Sequence, residues 1–491
     1  MIASLLSYEA ERLAIGKLEG DYFSDKRSPQ GRLTFKVASD KPATMSLLSL
    51  VYPNQALADL YNPIEYLNEG ITDLKAIERD IRSKVHELLE PFRASCQVNT
   101  GVPDNAWYYL VPMLFDGRDR VMKWLDNTTS DEKGFNAHKE QLRILLDSFV
   151  TLGKEPDDLE ETIVDMVLGS PAVCCLRAYE GNVKRATDLA KVFRRRFNTP
   201  DATAIIELAY SRRKSEDAHW QDVLRYCKDG NLQSMLDEYF HLIKEGEDID
   251  DKKHDQILDA LTLHTASPEV ESFNEFQSRV SGEKAAKERK MRSNYAVAFG
   301  QTRGEAAGTV NRKDSIQASF NSPMRPFVLA TTSIGQEGLD FHLYCRKIMH
   351  WNLPCNPVEL EQREGRINRF KCLAIRENVV RKFGNIPFTA DIWQEMFDAA
   401  EKERDEKQPE LIPFWCFGKD QEVKIERLLP FYPMSRDENN YAHLIKILNY
   451  YRLTLGQPRQ EELLEYVFNE VRETEQLKKL FIDLSPFNKI K

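Results

Sequence analysis

The sequence predicts an α/β protein in which a lobe built on a parallel sheet has large α-helical regions before and after it. Three observations carry that expectation. Short β-rich runs, "NYAVAFG" (294–300), "PFVLATT" (326–332) and "RKIMHWNLP" (346–354), have helical stretches between them, the order expected of a parallel sheet with crossover helices. From about 55 to 245 apolar residues recur mostly at helical spacing. After about 395 the pattern returns to helix in "NNYAHLIKILNYYRLTLG" and "GQPRQEELLEYVFNEVRETEQLKKL".

Taken in order, residues 1–50 are mixed, with a polar loop "SDKRSPQGR" and a candidate strand "RLTFKVAS". Residues 51–255 read as mainly helical. There "LKAIERDIRSKVHELLEPF" places Leu74, Ile77, Ile81, Val85 and Leu88 on one stripe, and "NLQSMLDEYFHLIKEG" repeats the pattern. The acidic stretch "KEGEDIDDKKHD" (244–255) reads as a solvated linker. The sheet-bearing lobe is expected over 256–395, with "ALTLHTA" as a candidate first strand, and a helical extension over 396–491. No internal repeat at solenoid periods is evident.

Composition narrows the function classes. The chain has 491 residues, 42% of them hydrophobic and 30% charged, an ordinary globular profile with room for two to four domains. Its formal net charge of -10 excludes a bulk polycation that binds nucleic acid by charge alone. The eight cysteines contain no C-x-x-C pair, so no zinc module is readable and no metal site is expected within this chain. The first residues turn polar too soon for a signal peptide, and no apolar run approaches the ~18 residues that span a bilayer. The expected compartment is the cytoplasm, with no membrane partner.

Two stretches carry chemistry. "FVLATTSIGQEGLDFH" reads as a buried strand breaking into a loop that holds Thr331, Thr332, Ser333, Gly335, Gln336, Gly338 and Asp340. Such loops lie at the carboxyl ends of parallel strands, and small or hydroxyl residues let backbone N–H groups approach a phosphate. About twenty residues on comes "EQREGRINR" (361–369). If it is helical, Gln362, Arg366 and Arg369 fall at i, i+4 and i+7 on one face. Two guanidiniums aimed together suit a polyphosphate, because each forks onto several oxygens. Arg363 points off that face and reads as structural. His350 and Trp351 end an apolar strand and read as core. The basic runs "KRATDLAKVFRRRF" and "EKAAKERKMR" read either as solvated helix faces or as a track for a nucleic-acid backbone.

These residues resemble the second motor lobe of superfamily-two helicases and translocases. "ATTSIGQEGLD" is similar to helicase motif V, and "QREGRINR" to motif VI, whose pattern is Q-x-x-G-R-x-x-R. "WNLPCNPVELEQ" resembles the W-N-P…E-x-Q run of the Swi/Snf-like branch, and "RKDSIQASFNSP" the helix before motif V there. "GSPAVCCLRA", "GNLQSMLDEYFHLI" and "YRLTLGQPRQEELL" look like segments of large bacterial helicases, some of them associated with defence against phage. The resemblance covers most of the chain and is specific over about 295–375. It implies a RecA-like helicase C-terminal lobe working with ATP, Mg2+ and DNA, RNA being the less favoured strand. Arg366 and Arg369 would be arginine fingers, with Gln362 orienting in the same cleft. Gly338, Asp340 and Gly365 would couple nucleotide to nucleic acid, and Thr331, Thr332, Ser333 and Gln336 would touch phosphates of the strand.

A motor also needs a loop ending G-K-[ST] to cradle ATP. Gly16–Lys17, Gly153–Lys154 and Gly418–Lys419 are followed by Leu18, Glu155 and Asp420, so none qualifies. Asp237 and Glu238 in "LDEYFHL" mimic the acidic motif but sit in an amphipathic helical pattern. The ATP-binding lobe is therefore expected on a separate or truncated polypeptide, with other defence-system proteins as further partners and this chain inactive alone. The alternative is a non-enzymatic nucleic-acid-binding or scaffold protein that retains the helicase lobe fold.

Overall fold

A computed structural model describes, short gaps apart, residues 32–262 and 315–454, together with small pieces between 265 and 294. Residues 1–31, 295–314, 332–339, 404–422 and 455–491 are outside the described residues, and with them most of "NYAVAFG", the centre of motif V and the end of the helical extension. The chain divides into two compact units. One comprises residues 1–319 with 328–330 and 387–390; the other comprises 320–327, 331–386 and 391–491.

The first unit is helical, as periodicity predicts. In the helix Leu74–Ser95 the buried row is Ile77, Ile81, Val85 and Leu89, an unbroken i, i+4 series. Leu74, expected on that stripe, is exposed, and Leu89 rather than Leu88 completes it. The segment "GSPAVCCLRA" forms the end of the helix Leu159–Gly169 and the helix Pro171–Ala178, whose Cys174 and Cys175 are buried. Proline at the first helical position fixes φ and removes a donor that would have no partner there. The helix Leu232–Lys244 contains Asp237 and Glu238, and Asp237 accepts from Gln233 one turn earlier at 2.8 Å.

The expected acidic linker is half helix. Asp250 accepts from the amide of Lys253 at 2.7 Å and so caps the helix Asp251–Leu261. The acidic residues that suggested a solvated loop are therefore a helix start. Of the candidate strand in "ALTLHTA", Ala260 and Leu261 end the helix Asp251–Leu261, residues 263 and 264 are outside the described residues, and Thr265–Ala266 pairs antiparallel with Ser293–Asn294. Glu269–Val270 and Arg289–Lys290 pair in the same antiparallel sense.

The second unit holds a parallel pair. Lys347–Met349, from the predicted run "RKIMHWNLP", lies beside Glu426–Leu428, with Ile348 opposite Arg427. Residues beyond 395 thus supply a strand to this unit as well as the helix Asp437–Thr454. The helix Pro357–Glu364 packs on that last helix through Leu360, Leu444 and Leu448, all buried. The described part of "PFVLATT", residues 327–331, carries no strand. Among the described residues no helix is long and apolar enough to cross a membrane.

Candidate functional site

The site begins with a helix that stops early. Pro357 opens the helix Pro357–Glu364, and Asn356 caps it by accepting from Val358 N at 2.9 Å. After Glu364 the chain continues as tight turns, with Ile367 N and Asn368 N both donating to Glu364 O at 3.1 Å. Gln362 is thus helical, whereas Arg366 and Arg369 follow the helix end, so the expected single helical face does not form. The arginines converge nonetheless, because the turn brings both back to Asp340. Arg369 Nη2 lies 3.0 Å from Asp340 Oδ1 and Arg366 Nη1 lies 3.7 Å from the same oxygen.

Backbone bonds fix this juxtaposition. Phe341 N donates to Arg366 O at 2.8 Å, and Leu373 N donates to His342 O at 3.1 Å. Asn321 clamps the segment from its other side: its Nδ2 donates to Asp340 O at 2.7 Å and its Oδ1 accepts from Leu343 N at 3.3 Å. Phe320 and Phe341 meet edge to face at 5.7 Å and shield these bonds. The buried Arg376 donates to Lys371 O at 2.6 Å and to Leu343 O. Burial holds the neighbouring His342 imidazole below its ordinary pKa, so it is neutral beside the arginines.

A buried ionic cluster anchors the last helical residue. Glu364 receives two hydrogen bonds from Arg427, one of them at 2.8 Å to Oε2, and His350 Nε2 lies 3.3 Å from Oε1. Arg427 also donates to Tyr441 Oη at 2.8 Å, so helix end, second strand and final helix share one knot. Burial alone would raise the Glu364 pKa, but the bonds from Arg427 and His350 outweigh it and hold the carboxyl down at about 2. Sequence reasoning passed over Glu364, Arg427 and Tyr441. Glu364 reads as one more surface charge until Arg427 is brought to it across sixty-three positions.

The remaining predicted residues separate. Thr331 is exposed, Gln362 is exposed, and Gly365 caps the helix. Thr332, Ser333, Gln336 and Gly338 are outside the described residues. No hydrogen bond between Gln362 and either arginine is seen among the described residues. Arg363 donates to Asn352 O at 2.9 Å and to Glu359 at 2.6 Å, the structural role its position suggested. His350 is buried as expected, but Trp351 is exposed and meets only the edge of Tyr432, at 6.1 Å, among the ring contacts seen. The strand Lys347–Met349 leaves alternate residues open to solvent, which carries Trp351 outward. No group of three or more His, Cys, Asp or Glu side chains is gathered for a metal ion among the described residues.

The basic helix Val183–Phe197 is mostly turned inward. Arg194 donates to Leu33 O and Glu132, Arg196 to Leu261 O, and Lys191 to Thr129 O at 2.7 Å. Arg185 reaches Asp251 at 2.8 Å, which leaves Lys184 and Arg195 exposed. These cations close backbone carbonyls and ion pairs of their own unit, so the helix is a poor track for a nucleic-acid backbone.

No curated protein and no solved structure matches the chain. Residues 253–371 match the helicase conserved C-terminal domain, a family to which a RecA-like fold belongs. The match supports a helicase C-terminal lobe and a nucleic-acid-related function, and Asn321, Asp340, Arg366 and Arg369 all fall inside the matched stretch.

Proposed function

We propose that this chain supplies the C-terminal motor lobe of an ATP-dependent DNA helicase or translocase. Arg366 and Arg369 reach the γ-phosphate of ATP held by a separate lobe with its Mg2+. The carrying observation is the convergence of the two guanidiniums on the Asp340 carboxylate at 3.0 and 3.7 Å, an arrangement that fits an anion with several oxygens. Charge grows on the phosphoryl oxygens as the terminal bond breaks, and cations fixed beforehand stabilise it without reorganising. Gly338, Asp340 and Gly365 couple nucleotide to nucleic acid, Gln362 orients in the same cleft, and Thr331, Thr332, Ser333 and Gln336 touch strand phosphates. Such contacts carry no base information, which suits movement along any sequence. The likeness of "WNLPCNPVELEQ" favours the Swi/Snf-like branch, and the likeness of "GSPAVCCLRA", "GNLQSMLDEYFHLI" and "YRLTLGQPRQEELL" to segments of large bacterial helicases favours a place in phage defence.

The test is reconstitution. Alone, the chain is expected to hydrolyse little ATP, since its sequence has no G-x-x-x-x-G-K-[ST] loop. Co-purified with a neighbouring gene product that carries such a loop, it should gain DNA-stimulated hydrolysis. Arg366→Ala and Arg369→Ala should each then lower turnover by about 10³-fold with nucleotide binding largely kept. Strong ATPase activity from the chain alone would reject the missing-lobe reading, and full turnover in both variants would reject the role of the arginines; no hydrolysis with any such partner would favour a scaffold that retains the fold.

A further inference from the structure

We propose that Asp340 is an internal counter-ion that holds Arg366 and Arg369 until a polyphosphate displaces it. The inference rests on reading those arginines as a phosphate-binding pair and adds how the pair is kept before phosphate arrives. One oxygen, Oδ1, faces both guanidiniums, yet only Arg369 comes within 3.0 Å. Arg366 stands at 3.7 Å, beyond hydrogen-bond reach, and its Nε is buried with no hydrogen-bond partner among the described residues. The arrangement balances charge but leaves donors poorly used.

A carboxylate brings one negative charge and two oxygens. The terminal group of a polyphosphate brings more charge and three oxygens, enough to engage both forks together. Displacement needs no movement of the backbone, because Asp340 is not held through its carboxylate alone. Its carbonyl accepts from Asn321 at 2.7 Å and the next amide donates to Arg366 O at 2.8 Å. The Asp340 side chain is 40% exposed although Oδ1 itself is buried, so the carboxylate can turn toward water when the arginines leave. Singly charged anions gain little over Asp340, whereas polyphosphates gain both charge and donors. The residue therefore sets selectivity for polyphosphate and keeps two cations from repelling one another meanwhile.

The experiment uses the full chain and inorganic triphosphate, measured by calorimetry at low salt. Asp340→Asn should bind triphosphate about tenfold more tightly than the unaltered chain, because a nearby competing charge is gone. The gain should vanish when Arg366→Ala and Arg369→Ala are added. Equal affinity with and without Asp340→Asn, or a gain that survives loss of both arginines, overturns the proposal. Should Asp340→Asn lose cooperative melting, carboxyl 13C spectra of the unaltered chain decide. Triphosphate must then shift the Asp340 carboxyl together with the arginine Nε signals, and arginine shifts without it overturn the proposal. The functional reading fails separately: full turnover of the two arginine variants in the reconstituted motor rejects it even where the triphosphate gain is seen.

Discussion

Glu364 shows how a single carboxylate can matter to a site it does not enter. It is buried, yet it remains ionised because Arg427 and His350 supply hydrogen bonds that water no longer can. Its carbonyl accepts from Ile367 and Asn368, so fixing its side chain also fixes the turn that presents Arg366. Glu364→Gln leaves the Arg427 charge half-buried with a weaker partner and should cost on the order of 3 kcal/mol in denaturant unfolding. The pH dependence has a definite sign. The folded-state value of about 2 lies below the ordinary 4.5, so the stabilisation is complete above pH 4.5 and is lost as pH falls toward 2. Stability measured from pH 5 down to 2 should fall less steeply in Glu364→Gln than in the unaltered chain. Identical slopes would show that the carboxylate is not held as described.

At the scale of elements, helix periodicity was the readable signal because a buried stripe repeats within one segment. Ile77, Ile81 and Val85 announce their helix without reference to anything distant. Close approach between helices is not readable that way. A Cβ on Gly169 would stand 2.2 Å from Leu224 O and 2.8 Å from Lys228 N, so the helices Leu159–Gly169 and His219–Asp229 touch backbone to backbone there. Asp165 secures the same pair by accepting from Lys228 at 2.7 Å. Gly169→Ala must push the helices apart and should lower stability by roughly 1–3 kcal/mol, read from a thermal or denaturant melt. At the start of the second helix His219 is buried, and both its ring nitrogens are without hydrogen bonds among the described residues. Burial, with the Arg32 charge, holds its pKa down to about 4, and a cation at a helix N-terminus would also oppose the dipole. Its stabilisation is therefore intact above pH 6.5 and is lost as pH falls toward 4. His219→Leu should flatten the stability profile between pH 6.5 and 4, and an unchanged profile would count against a neutral buried imidazole.

At the scale of the whole molecule, the same contrast explains which parts of the candidate site were legible. Arg366, Arg369 and Asp340 were visible because short motifs carry them, although the helix expected to align the arginines ends at Glu364. The stretch "RKDSIQASFNSP" carries Asn321, but its clamp on Asp340 and Leu343, like the knot of Glu364 with Arg427 across sixty-three positions, is a pairing that no local pattern encodes. Charge follows the same logic. The run "KRATDLAKVFRRRF" is as cationic as a nucleic-acid track, but Arg194 and Arg196 close carbonyls inside their own unit. The chain carries a formal net charge of -10, and the proposed strand contacts, Thr331, Thr332, Ser333 and Gln336, are neutral donors. Neutral groups displace no condensed counterions from a phosphate, so they add affinity without adding salt dependence. Binding of the chain alone to duplex DNA should therefore be weak, with a log–log salt slope no steeper than about -2 to -3. Fluorescence titrations between 50 and 200 mM salt, a range over which many-phosphate binders lose about 10³-fold or more, read that slope directly. A slope near about -6 would require at least six neutralised phosphates. It would move the main nucleic-acid contact from the motif V hydroxyls to a basic surface elsewhere on the chain.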